Sequence, residues 1–189
     1  MKCDRARLVP FVALLASACG AGDGDSTLNH YGAEMSESVV GVEASLSSHQ
    51  DKVLAETDLE SLRGMEREHM DDMGMHMGRM QAALDSMKLC GSHMSMTRDS
   101  EAVDQLHAAQ GAMADAMGSA FAESERHLRA MQGAPDLDAA RAEEGHHQVA
   151  MDELLGGMRM HDESLGSAMQ MMADDGMSMM CPMSSHMHH

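Results

Sequence analysis

The chain has 189 residues, of which 25 are Met and 13 His; only three are aromatic, and the formal charge is −18. That charge excludes nucleic-acid binding, because a phosphate backbone would be repelled, and the scarcity of strand-forming side chains argues against a sheet fold. What remains is one domain whose core is built from Leu, Met, Ala and Val, a set suited to helices packed at close range.

Lys2, Arg5 and Arg7 form a basic start, followed by an apolar stretch over residues 8–18 (LVPFVALLASA) that is too short to span a bilayer. Residues 1–18 read as a secretory signal peptide. Its end, Ala16-Ser17-Ala18-Cys19-Gly20, resembles the lipobox of bacterial lipoproteins. That resemblance implies a lipid anchor on Cys19. With Gly20 rather than Asp following, it also implies an outer-membrane position facing the periplasm of a Gram-negative cell. Residues 19–32, rich in Gly and Asp, read as a flexible tether. With Cys3 cleaved off and Cys19 lipidated, Cys90 and Cys181 are left, either to pair or to serve a metal as thiolates.

Residues 33–173 carry four helical stripes, with apolar side chains at alternating steps of three and four. The first (33–55) reads Met35, Val39, Val42, Leu46, His49, Val53. The second opens on Thr57-Asp58-Leu59-Glu60, a capping box, and runs to about Leu89 through Leu62, Glu66, His69, Met73, His76, Met80, Ala83 and Met87. The third, about 99–132, reads Val103, Leu106, Gln110, Met113, Met117, Ala120, His127, Met131. Gly133 is placed as its C-cap and Pro135 in the first turn of the fourth helix. The fourth reads Leu137, Ala140, Glu144, His147, Met151, Leu154, Met158, His161, Leu165, Met172. Two short connections make neighbours antiparallel, so the expected fold is all-α, an up-down-up-down four-helix bundle. The glycines within the helices are expected to let helices approach closely, and Gly156-Gly157 to kink the fourth.

Two groups of side chains point to metal. In the tail, residues 169–189 hold eight Met, three His and Cys181. Thioether, thiolate and imidazole suit soft monovalent ions such as Cu(I) and Ag(I). Bundle topology brings this tail (174–189) towards the connection after the second helix. The predicted soft-metal site is therefore Cys90, His93, Met94, Met96, Met177, Met179, Met180, Cys181, Met183, His186 and Met187. The run Cys181-Pro182-Met183 resembles the core of small bacterial heavy-metal-binding modules. The composition resembles that of Met/His-rich periplasmic copper-resistance proteins, which implies a non-enzymatic, envelope-anchored metal binder. Cys90 and Cys181, each followed by Ser-His-Met, hint at a duplicated hairpin.

The second group lies at the opposite end. Reflection through the short connections sets His49 opposite Glu66 and Glu123 opposite Glu144, with His69 and His147 one turn below. Glu66–His69 and Glu144–His147 resemble the Glu-x-x-His pairs of ferritin-like di-iron bundles. That implies an iron centre, or a zinc one, with Glu123 as the third helix's carboxylate; helix 1 departs from the pattern by offering His49. Met73, Met80 and Met87 read as core filler, whereas Met70, Met75 and Met77 fall off the stripe, where a sacrificial oxidant sink is the plain alternative to a metal role. Phosphate-loop and nucleophile motifs are missing from the sequence, which leaves a nucleotide enzyme or a hydrolase without support.

Overall fold

The computed structural model describes residues 26–95 and 101–176, with side chains from Leu28 to Cys90 and from Glu101 to Gly176. These residues form four helices and no strand: α1 (Ser26–Ala55), α2 (Leu59–Ser95), α3 (Glu101–Gly133) and α4 (Leu137–Asp174). Each of α1 and α3 packs against both α2 and α4. With connections of three residues at 56–58 and 134–136, this is the predicted antiparallel four-helix bundle. Among the described residues no helix is long and apolar enough to cross a membrane. Residues 1–18, which read as a signal peptide, Cys19 and the tail from 177 onward lie outside the described residues.

Several local expectations are corrected. α1 starts at Ser26 rather than at residue 33, because Leu28, fully buried, and Tyr31, packed on the core, continue its stripe upstream. The cap of α2 is Asp58, whose carboxylate accepts from the Ser61 amide at 2.8 Å. Glu56 takes the part assigned to Thr57 and Glu60, accepting from the Thr57 and Asp58 amides. Pro135 precedes the cap of α4 instead of entering its first turn. Asp136 is the N-cap and accepts from the Ala139 amide at 2.9 Å. On α2, Met77 is core rather than surface. A stripe counted in threes and fours drifts around a helix of 37 residues. α4 runs on through Gly156 and Gly157.

The two hairpins repeat with a spacing of 78 residues. Ala55 and Gly133 end α1 and α3, and Leu59 and Leu137 begin α2 and α4, each pair 78 apart. The repeat extends to side-chain contacts. Arg63 donates to the Ala134 carbonyl at 2.9 Å, and Arg141, 78 residues later, donates to the Glu56 carbonyl at 2.6 Å. Each hairpin thus clamps the other's connection, as an approximate twofold axis along the bundle requires. In this register Cys90 matches Ala168, so the Cys-Ser-His-Met likeness does not mark the repeat.

Apolar packing falls into two clusters. A large one, including Val42, Leu46, Met73, Met80, Met113, Met117, Met151 and Met158, fills most of the bundle. A small one, Val53, Leu62, Met131, Ala134 and Ala140, closes the end with the short connections. A polar layer lies between them.

Among the described glycines, close approach is confined to α1. A Cβ on Gly41 would meet the His76 ring at 2.3 Å and one on Gly32 would meet Met169 at 2.8 Å, whereas Gly64, Gly74, Gly118 and Gly145 face open space. Gly118→Ala should therefore raise stability by about 0.5–1 kcal/mol through helix propensity. Gly41→Ala should show no such gain, because the His76 ring must move. Paired urea melts check this, and equal stabilisation by both substitutions would contradict the packing.

Candidate metal centre

The polar layer is assembled by helix periodicity. His49 of α1 and His127 of α3 sit one turn from Val53 and Met131 of the small cluster. Glu66 of α2 and Glu144 of α4 sit one turn from Leu62 and Ala140. His69 and His147 follow Glu66 and Glu144 by three residues and so point the same way. All six side chains are buried. Each is related to its counterpart by the 78-residue spacing: His49 with His127, Glu66 with Glu144, His69 with His147.

The carboxylates lie between the two single histidines. His49 Nε2 is 3.0 Å from Glu66 Oε1 and 3.4 Å from Glu144 Oε2; His127 Nε2 is 3.1 Å from Glu66 Oε2 and 3.4 Å from Glu144 Oε2. One ligand atom from each of these four residues lies within 4.8 Å of the others. The imidazoles form two stacked pairs, His49 on His69 at 4.0 Å and His127 on His147 at 3.9 Å, and the pairs meet edge to face. His69 Nε2 and His147 Nε2 are buried without a hydrogen-bond partner. Unpaired buried polar atoms are costly. Here they belong to imidazoles whose other nitrogen is engaged: His69 Nδ1 with Ser45 Oγ at 3.4 Å, and His147 Nδ1 with Glu123 Oε1 at 3.1 Å. When Nδ1 carries the proton towards Glu123, Nε2 presents a bare lone pair, the arrangement of a metal-binding histidine.

Electrostatics divides the histidines by position. For His49 and His127, burial opposes the charged form, but the adjoining carboxylates of Glu144 and Glu66 outweigh it and raise both from 6.5 to about 9. For Glu66, burial pushes upward, but His127 and His49 prevail and hold it at about 2; Glu144 is likewise held well below the ordinary carboxylate range. Burial, reinforced by repulsion from His49, lowers His69 to about 3, and burial together with His127 lowers His147. Two imidazolium ions thus balance two carboxylates, beside two neutral imidazoles. A buried group of this composition can hold a metal ion through nitrogen and carboxylate donors.

Of the residues read from sequence, His49, Glu66, His69, Glu144 and His147 meet in this layer. Glu123 stands behind His147, not at the centre; the side chain of α3 that enters the layer is His127, one turn further on. The 17-residue step from His49 to Glu66 recurs from His127 to Glu144 and is the signal that identifies it. The soft-metal site falls almost wholly outside the described residues. His93 and Met94 lie on the last turn of α2 by backbone alone, and Met96, Met177, Met179, Met180, Cys181, Met183, His186 and Met187 are not described. Cys90 is buried and disulfide-bonded, its partner outside the described residues, so its sulfur is engaged and is not a thiolate. The chain matches no protein-family model, no curated protein and no solved structure.

The shifted groups set a pH window for stability. His49 and His127 hold protons more tightly in the fold, so their contribution is complete below pH 6.5 and is lost as pH rises through about 9. That of Glu66 is complete above 4.5 and is lost as pH falls through about 2. His69 stays neutral down to about 3, so proton uptake by the unfolded chain below 6.5 also favours unfolding. Protein treated with chelator should therefore melt at its highest temperature near pH 6.5 and at lower temperatures towards pH 9 and pH 3. A melting temperature that stayed level or rose from pH 6.5 to 9 would contradict the pairing of His49 and His127 with the carboxylates.

Proposed function

We propose that the protein is a transition-metal binder whose centre is the His49, Glu66, His69, His127, Glu144, His147 layer, and that it captures and retains divalent ions. The observation that carries this reading is the pair of buried, unpartnered Nε2 atoms of His69 and His147 beside two carboxylates that already bridge two further imidazoles. Four imidazoles and two carboxylates favour zinc, iron, copper(II) or nickel over calcium and magnesium, which prefer oxygen. The four grouped donors take one residue from each helix; with His69 and His147 added, the proposed centre would hold two ions, each bound by two histidines from one hairpin, with the carboxylates of Glu66 and Glu144 available to both.

Retention is favoured over oxidative chemistry by the charge of the donor set. A ferritin-like layer supplies four carboxylates; this one replaces two with neutral imidazole. Fewer anionic donors stabilise a trivalent ion less. The reading keeps the envelope anchor at Cys19 argued from residues 1–20, and the acidic surface, which raises local cation concentration.

Titration of the full chain with Zn(II), Fe(II) and Co(II), followed by elemental analysis, tests the centre. Glu144→Ala should lower affinity by about 10- to 100-fold or more, and affinity should rise with pH because the ligands must lose their protons. Unchanged stoichiometry and affinity in a variant lacking both Glu66 and Glu144 would overturn the assignment.

A second reading, favoured by the concentration of methionine in residues 169–189, is a separate soft-metal store for Cu(I) or Ag(I) in the tail. Deleting residues 177–189 should reduce Cu(I) stoichiometry and leave Zn(II) binding intact; equal Cu(I) uptake before and after the deletion would end the role of the tail.

A further inference from the structure

The six inner ligands obey the 78-residue repeat, but the residues behind them do not. In the α3–α4 hairpin, Glu123 meets His147 Nδ1 at 3.1 Å and Glu143 meets His127 Nδ1 at 3.3 Å. Arg126 binds both carboxylates, with two contacts of 2.7 Å to Glu123 and one of 2.8 Å to Glu143. The positions 78 residues earlier are Ser45, Ser48 and Met65. Ser45 offers His69 only a hydroxyl at 3.4 Å, and Met65 brings no carboxylate to His49. These three small or uncharged side chains leave a cavity of about 220 Å³ between α1 and α2, whose lining includes His49 and His69 and, at its exposed rim, Glu68 and Asp72.

We infer that the centre holds two ions of unequal standing: a tightly held one in the α3–α4 half, and an exchangeable one in the α1–α2 half, reached through the cavity between α1 and α2. This rests on the metal reading of the layer proposed above. A carboxylate that accepts from Nδ1–H fixes the imidazole's tautomer and orientation and makes Nε2 a better donor. Both histidines of the α3–α4 half have this support, and Arg126 fixes the supporting carboxylates from outside. Neither histidine of the α1–α2 half has a carboxylate at the corresponding position. The same substitutions that remove the support open the way in. Glu68 and Asp72 give the rim two negative charges to draw a cation inward, opposed by Lys52 alone among the lining residues.

The test uses the full chain, Zn(II) competition against a chromophoric chelator, and timed release into excess chelator. Two classes of bound ion are expected, one tight and slow, the other weaker and fast; His147→Ala should remove the first and His69→Ala the second, which separates both from ions held by the tail. Glu123→Gln should weaken the tight class about 10- to 100-fold and leave the fast class unchanged. Ser45→Glu, which installs the missing carboxylate, should strengthen the fast class, a gain that misfolding cannot imitate, and Ser48→Arg should slow its release. A single class, or two classes that respond alike to Glu123→Gln and Ser45→Glu, overturns the inequality and leaves the metal centre standing. Failure to bind Zn(II), Fe(II) or Co(II) at the layer overturns both.

Discussion

The interaction on which the rest of the structure depends is the sharing of Glu66 and Glu144 between His49 and His127. Taking ionised groups out of water costs several kcal/mol each even after relaxation, and only good geometry with complementary charge offsets it. Here each carboxylate lies within 3.0–3.4 Å of both single histidines, so charge is balanced inside the layer, although both oxygens of Glu144 are buried without a hydrogen bond. The arrangement constrains the whole bundle. A one-residue slip of any helix would turn its ligand away by about 100° and leave a buried carboxylate or imidazolium unpaired. The reciprocal bonds from Arg63 and Arg141 to the opposite connection fix the register at the near end, and the large Leu/Met cluster fixes it on the other side.

Such a layer is a poor choice for stability alone. Replacing a buried ionic group by packed apolar residues of similar volume is often neutral or stabilising, and the sequence has Leu and Met at the same stripe positions one turn away. The cost falls on His69 and His147, where burial strips the proton and leaves Nε2 without a partner, and on Glu144, whose two oxygens are buried without a hydrogen bond. Positions where local rules are broken without a packing gain are where function resides. The grouped donors of this layer are imidazole and carboxylate, so the preference of the centre need not be that of the Met-rich tail.

Much of this was legible from residue order. Glu66, His69, Glu144 and His147 stand where a stripe calls for Leu, and reflection through the first connection sets His49 against Glu66. His127 was harder to place because Glu123 lies one turn before it on the same helix, and a carboxylate fits the ferritin-like pattern that the Glu-x-x-His pairs suggest. The repeat distance resolves the choice: only His127 preserves the 17-residue step to Glu144. Met77 was misplaced for a geometric reason, since a long helix rotates its buried face away from any fixed count. The capping residues were off by one or two positions because several side chains near a helix start can accept from its free amides: Glu56 takes those of Thr57 and Asp58, Asp58 that of Ser61, and Asp136 that of Ala139. The tail lies beyond what stripe and register can address, because it has no helical period to read.

The repeat also shows which positions a twofold bundle constrains and which it leaves open. His49, His127, Glu66 and Glu144 must match, because each carboxylate is neutralised by a histidine from either hairpin. Ser45, Glu123 and Glu143 each bond a histidine of their own hairpin, and Arg126 bonds Glu123 and Glu143, so these positions lie behind the charge-balanced centre and differ from their counterparts. In the second hairpin they became Glu123, Arg126 and Glu143, a closed ion-pair network over the site. In the first they are Ser45, Ser48 and Met65, which leave the ligands open to a solvent-facing cavity. Closing the α1–α2 face in the same way would bury both histidine pairs behind charged networks and leave an incoming ion no path that avoids desolvating against an ion pair. Opening both faces would remove the support that makes the His127–His147 half a strong donor set. On the two-ion reading proposed above, a symmetric inner layer with an asymmetric surround satisfies both demands, and the departure from the repeat at these three positions supports that reading.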